Sequence, residues 1–394
     1  MEENRDRVNS EGENSQEYAN FILELLQAEQ DSNSDIKVIY PILDQRQHLL
    51  NAGFSETLQQ VAQILIAEHP EAISSIVADI ENLSIHIKNF PLGSRANNIE
   101  IAITGYQIVL NNWQPGSEKF AETQNNLAIA YRNRINGSRA ENLERAIEFY
   151  EAALTVRTLE NFPDKWAMTQ NNLAIAYGDR INGSRAENLE RAIEFYEAAL
   201  TVRTLEDFPE KWAMTQNNLA AAYRNRINDS RAENLERAIA FYEAALTVRT
   251  LENFPFNNVL TLNNLGLTYL KKLDYINREK PADKNQKAAT LQSAYDTFKN
   301  AITGASKLRE LESGDETKQK HGLEWDKLYM SMVQVCLDRQ SNQEALLYAE
   351  ANKARNLAEV IAQSHRPKTG NPPTPKTHYF HRNYPTPHPR HRPN

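Results

Sequence analysis

Between residues 165 and 181 the apolar positions Trp166, Leu173, Tyr177 and Ile181 fall 7, 4 and 4 apart, the spacing that puts side chains on one stripe of a helix. Asn182-Gly183-Ser184 interrupts the pattern. A second pattern over 187–203 spaces Leu189, Ile193, Tyr196 and Leu200 by 4, 3 and 4, with Ala192 and Ala199 beside them where two helices must approach closely. Two helices joined by so short a link predict an antiparallel hairpin. Phe208-Pro209 closes the unit, because proline disfavours helical geometry in the residue before it and suits the first turn of the next helix. Phe162-Pro163 and Phe254-Pro255 repeat that punctuation.

The hairpin is one of several. Residues 125–170 return at 171–216 with four changes and again, less faithfully, from 217, a period of 46. Gly93-Ser94-Arg95-Ala96-Asn97-Asn98 echoes Gly137-Ser138-Arg139-Ala140-Glu141-Asn142, so a diverged first unit lies at 91–115, its first helix expected at about 71–89. A fourth unit keeps Asn263-Asn264-Leu265-Gly266 but delays its second helix behind the polar stretch 274–285. Upstream, residues 18–90 show short apolar groups at helical spacing; downstream, 317–339 and 342–364 give one more pair. The expected organisation is a disordered lead at 1–17, an N-terminal helical region at 18–90, repeats over 91–276, helical hairpins over 277–365, and a disordered Pro/His-rich tail at 366–394. The predicted fold is all-helical, a right-handed superhelix of helix hairpins. Stacked units contact only their neighbours and build an extended face suited to a partner rather than a closed pocket.

Leu173-Ala174-x-x-Tyr177 followed by Ala192-x-x-x-Tyr196-x-x-Ala199 resembles the tetratricopeptide repeat, and the match holds in the copies at 125, 171 and 217. The period exceeds that family's usual 34 by 12 residues. Longer units of this kind resemble those of kinesin light chains and of bacterial proteins that join such arrays to a CHAT domain, a caspase-like peptidase. The segment 344–357 looks like the linker into that domain, so the resemblance spans about residues 18–364 and implies a peptidase that is missing here. It implies an α-solenoid that binds a peptide or partner protein in its concave groove. The alternative it implies is the regulatory, substrate-recognising part of a CHAT-type cysteine peptidase whose catalytic domain is lost or separate. A tail left by a truncated or frame-shifted gene fits that picture: eight of sixteen prolines and four of nine histidines fall in the last 29 residues.

Charge narrows the partners. Against 44 Lys+Arg stand 52 Asp+Glu, a net charge of -8, and no basic stripe of the kind that neutralises phosphates runs through the folded part, so no nucleic acid is expected. The opening MEENRDRVNSEGENSQE is polar and acidic, and no run of about 18 apolar residues follows, so neither a signal peptide nor a membrane span is expected. One cysteine, Cys336, excludes an internal disulfide and a Cys-rich zinc site. A soluble cytoplasmic protein is the expectation.

No catalytic residue, cofactor or metal site is expected. His321 and Cys336 could suggest a caspase-like pair, but the apolar run between them reads as one helix, and a small buried Cys is the ordinary outcome. His378, His381, His388 and His391 sit in a proline-rich stretch without fixed geometry for a metal. The candidate site is a ladder instead. Asn126, Asn172, Asn218 and Asn264 stand 46 apart, each just before the Leu of a first helix. About 100° from the buried stripe, such an amide faces the inside of the superhelix, where it can both donate to and accept from the backbone of an extended peptide; the opposing reading is a bond across to the adjacent unit. Their neighbours Asn125, Asn171, Asn217 and Asn263 are second candidates, pointing toward solvent or the preceding helix. Arg132-Asn133, Gly178-Asp179 and Arg224-Asn225 vary while the apolar stripe holds, as exposed residues tuning a ligand's charge would. Arg134, Arg180 and Arg226 with Arg139, Arg185 and Arg231 form a repeated basic rim expected to be internally paired, with Glu141 placed four before Arg145. Trp166, Trp212 and Phe120 read as anchors between stacked units.

Overall fold

The computed structural model describes residues 2–280, 282–311 and 315–364, with side chains described over 15–280, 282–309 and 325–354. Among these residues all regular structure is helical, and the helices pack in chain order as an α-solenoid. Three helices come first: α1 (Glu2–Asp31), α2 (Ile36–Gln45) and α3 (Ala52–Glu68). Four repeated hairpins follow: α4 (Ile73–Asn89) with α5 (Arg95–Asn112), α6 (Glu118–Asn133) with α7 (Arg139–Leu154), α8 (Pro163–Asp179) with α9 (Arg185–Leu200), and α10 (Pro209–Asn225) with α11 (Arg231–Val248). A longer hairpin, α12 (Pro255–Glu279) with α13 (Lys284–Leu311), and a last pair, α14 (Asp315–Asp338) with α15 (Asn342–Ser364), complete the array.

Local chemistry fixes each unit. Phe162, Phe208 and Phe254 leave the helical region and the proline after each opens α8, α10 and α12. At the other bend, Ser138, Ser184 and Ser230 accept the backbone N–H three residues on, capping α7, α9 and α11. The turn before each cap needs a left-handed residue. Gly137 and Gly183 supply it at φ 76°, and the third copy uses Asp229 at φ 64°, one of the few side chains that accept this region. Fully buried alanines recur on both helices of each hairpin, Ala128 and Ala146, Ala174 and Ala192, Ala220 and Ala238.

Successive first helices α4, α6, α8, α10 and α12 touch one another, whereas each second helix meets mainly its own partner and the next first helix. First helices therefore lie on the inner side of the curve. The N-terminal helices form their own core with α4 and part of α5, around Phe21, Leu25, Leu43, Phe54, Ile80 and Ile87. A second core ties α12 and α13 to the last hairpin through Phe298, Leu328, Met332 and Cys336.

Several sequence expectations change. Residues 1–17, expected to be disordered, fall within α1: the segment contains no proline, and extending an already packed helix adds one hydrogen bond per residue fixed without a new nucleus. The boundary at 90/91 cuts the α4–α5 hairpin, because α4 is the helix sought at 71–89 and packs as a first helix of the array. The boundary at 276/277 falls inside α12, which absorbs the first half of the polar stretch 274–285 by lengthening. Ile181 leaves the buried stripe: α8 stops at Asp179 and Ile181 is 58 % exposed, like Ile135 and Ile227. Ile181→Ser is accordingly expected to move the unfolding midpoint by no more than about 0.5 kcal/mol; a loss of core-like size in urea titration would return Ile181 to the interior. Trp166, Trp212 and Phe120 are half-buried at the unit boundaries instead of sealed within them. The His-rich tail lies outside the described residues.

Candidate functional site

The inner face presents one stripe per first helix at i, i+4, i+7 and i+11: Glu122, Asn126, Ile129 and Asn133 on α6; Met168, Asn172, Ile175 and Asp179 on α8; Met214, Asn218, Ala221 and Asn225 on α10; Leu260, Asn264, Leu267 and Lys271 on α12. All are half-buried except the exposed Asp179 and Lys271. The Asn ladder is thus on the inner face, with half-buried apolar side chains on both sides of Asn172, Asn218 and Asn264 and with Glu122 and Ile129 beside Asn126.

Its amides are already partly engaged. Asn126 Nδ2 donates to Glu81 Oε1 (3.3 Å), Asn172 Nδ2 to Asn125 Oδ1 (3.2 Å) and Asn218 Nδ2 to Asn171 Oδ1 (3.5 Å). Asn264 receives Arg224 Nη1 on its Oδ1 (3.5 Å) and its carbonyl (3.3 Å). The opposing reading, a bond between units, therefore describes the donor half of Asn126, Asn172 and Asn218 and the acceptor half of Asn264. The second row is corrected: Asn125 and Asn171 do not reach solvent but are 2 % and 1 % exposed, wedged between successive first helices where they accept from the ladder. Asn217 and Asn263 are half-buried; Asn217 donates to Asn218 and accepts from Thr261.

Behind this row runs a polar seam that hydrophobic spacing does not reveal. Thr123 donates to Glu81 (2.8 Å), Thr215 to Asn171 (3.4 Å) and Thr261 to Asn217 (3.2 Å). Arg203 and Arg249 donate to Thr215 and Thr261, both at 3.1 Å, while Arg157 donates to Glu118 at 3.0 Å. Arg157 and Arg203 are 1 % and 2 % exposed, and burial lowers the guanidinium pKa of Arg203 and Arg249 to about 10. The signal available in the sequence was Arg recurring at 46-residue intervals just past each second helix.

Glu81 and Asn82 were also missed. Glu81-Asn82-Leu83-Ser84-Ile85 repeats Asn125-Asn126-Leu127-Ala128-Ile129 at a spacing of 44, which the search for 46 passed over. Asn82 is a further rung, and its Nδ2 donates to Ser34 Oγ (2.8 Å) in the turn after α1. Glu81 takes the place of Asn125. Burial, then repulsion from Glu122, raises its carboxyl to about 7.

The basic rim pairs between units. Arg134, Arg180 and Arg226 bind Glu100, Glu144 and Glu190 of the preceding second helix with both Nε and Nη2. Arg145 pairs with Glu148 (3.0 Å), not with Glu141, since a short reach along the same turn competes better. Cys336 sits inside α14 with no exposure, and burial followed by the Glu344 charge pushes its thiol up, away from nucleophilic character.

Residues 120–163, 166–209 and 212–247 match the family described as Tetratricopeptide repeat. Three of its units, between residues 120 and 247, are similar to tetratricopeptide repeats. Each matched stretch covers most of a first helix and its second helix, and the first two run on to the start of the next unit. Among solved structures, the chain is similar to BtubC (BKLC) from P. vanneervenii, at 21 % identity and a TM-score of 0.46 over 69 % of this chain and 94 % of that one. It is similar also to the C-terminal part of a TPR repeat-containing protein from Cytophaga hutchinsonii, at 14 % identity and a TM-score of 0.36, over 73 % and 98 % of the two chains. No curated protein matches it. Among the described residues no helix is long and apolar enough to cross a membrane.

Proposed function

We propose that this chain is a non-catalytic interaction scaffold that holds an extended segment of a partner protein along the inner face of α6, α8, α10 and α12. The observation that supports this reading is the recurrence, once per first helix, of a half-buried stripe in which an Asn neighbours apolar side chains, such as Met168 and Ile175 or Leu260 and Leu267. The ladder donors of Asn126, Asn172 and Asn218 face the unit behind, so what each offers a ligand is its side-chain oxygen, an acceptor for a backbone N–H that at Asn218 is shared with the Asn217 amide. The apolar neighbours contribute burial at about 25 cal/mol per Å² covered. Main-chain recognition of this kind tolerates varied sequences, with pockets between rungs setting preference.

A photo-crosslinking residue placed at Met168, Ile175 or Met214, and at Arg191 on the outward surface of α9 as the control, tests this in a native lysate. The expected result is a common adduct from the three inner positions and none from Arg191. Adducts from Arg191 alone would move binding to the outer helices.

A further inference from the structure

Charge is unevenly placed along this chain. All 52 Asp and Glu precede residue 365, whereas residues 365–394 hold six Lys and Arg, no carboxylate, and the aromatics Tyr379, Phe380 and Tyr384 among their prolines. Toward the other end, residues 47–87 contain five carboxylates and no Lys or Arg. That stretch includes α3, which packs directly against α5.

Between α3 and α5 runs a groove of about 710 Å³, within the size range of ligand sites. Gln59, Gln63 and Ile66 line it from α3, and Gln107, Ile108 and Asn111 from α5. The four amides are exposed and bond to nothing among the described residues, so their donors and acceptors are open to a backbone. The two isoleucines are half-buried and supply apolar area between them. The groove follows α5, a second helix, and so lies away from the Asn ladder of the first helices. Its electrostatics favour a cationic occupant. Glu56 shares a stripe with Gln59 and Gln63 at i, i+3 and i+7. Glu68 ends α3, and neither α3 nor α5 has a basic residue in its last turn, so two negative helix ends stand there without a cation of their own. The arginines nearest in sequence are engaged elsewhere: Arg95 donates to the Lys88 carbonyl and Arg134 binds Glu100.

We propose that the α3–α5 groove seats the basic segment 376–384 of a second copy of this chain, joining copies end to end. Seated extended, Lys376 and Arg382 stand about 20 Å apart at about 3.3 Å per residue. Glu56 and Glu68 are about 18 Å apart along α3, so one cation meets each end of the groove. Tyr379 and Phe380 fall between, against Ile66 and Ile108, while the glutamines and Asn111 pair with the segment's backbone. Reach assigns the segment to another copy. Tyr379 lies fifteen residues past Ser364, where α15 ends, a span of at most about 50 Å. The five hairpin steps from α5 to α15 take up about 40–50 Å at 8–10 Å each, which leaves the segment of the same copy no length to seat itself. Groove and segment are different surfaces, so the contact is head-to-tail and can continue from copy to copy.

Sedimentation of the full chain over a range of concentrations, with helicity followed in parallel, tests this. The intact chain is expected to self-associate. Gln107→Arg, which puts a cation among the amides, should weaken association about tenfold, and Gln107→Glu should strengthen it about as much. Lys376→Gln combined with Arg382→Gln should weaken it as Gln107→Arg does, while Glu160→Gln, in the loop after α7, should change nothing. At concentrations where neither weakened chain associates alone, a mixture of the two is expected to form a one-to-one pair, because one keeps the segment and the other keeps the groove. An intact chain that is monomeric throughout, association untouched by Gln107→Arg, or a mixture that stays monomeric overturns the proposal. Each of these leaves the reading of the inner face standing, since the Asn ladder takes no part in the joint.

Discussion

Glu81→Gln is expected to raise the stability of the chain at pH 8 by about 3 kcal/mol and to leave it unchanged at pH 4. Glu81 holds its proton to about pH 7 in the folded chain, against 4.5 when solvated, first because it is buried and second because Glu122 repels its charge. Between those two values the folded state binds more protons than the unfolded one, so the contribution of Glu81 to stability declines as pH rises from 4.5 and is fully lost above about 7. A neutral amide removes this dependence and still accepts from Thr123 and Asn126, whose donors point at Glu81 Oε1. Lys88, lowered to about 8 chiefly by burial, acts in another window: its folded form sheds a proton the unfolded chain keeps, so stability gained from it rises between 8 and 10.5. Urea titrations of both proteins at pH 4, 6 and 8 isolate Glu81. A constant difference across that range would mean that the carboxyl is solvated and that α4 and α6 do not close over it.

Leu173→Ala is expected to cost 2–5 kcal/mol, the range for a fully buried leucine that leaves a cavity. Leu173 has no exposure and sits in a core that draws on α6, α7, α8, α9, α10 and α11. In a linear array the loss falls on one unit and its two interfaces. Amide exchange should therefore accelerate in α7–α10 while the N-terminal core around Phe21 and Phe54 keeps its protection. A uniform acceleration would show that the chain unfolds as one block; no change in the melt would put Leu173 on a different face of α8.

The hairpins were legible because each of their determinants is local. Phe-Pro at the start of α8, α10 and α12, Ser before α7, α9 and α11, and the Leu173 and Leu189 stripes all act within a few residues of the bend they make. The Asn ladder was legible as a row for the same reason. What Asn125, Asn171 and Arg203 do was not, because their partners lie on other helices, 47 residues away for Asn125–Asn172 and Asn171–Asn218, and 12 across a unit boundary for Arg203–Thr215. Spacing gives the angle of a side chain about its own helix; it does not say how closely the next helix approaches. Ile181 failed at the opposite scale, two residues past the helix end at Asp179, where the periodicity ceases to carry meaning.

Arg180–Glu144 and Arg226–Glu190 join consecutive units through identical atoms, and Asn172–Asn125 and Asn218–Asn171 do the same on the inner side. Every unit of this kind carries both halves of its own joint. A gene that gains or loses one 46-residue module at these seams needs no compensating change elsewhere, so the reach of the molecule is set by copy number.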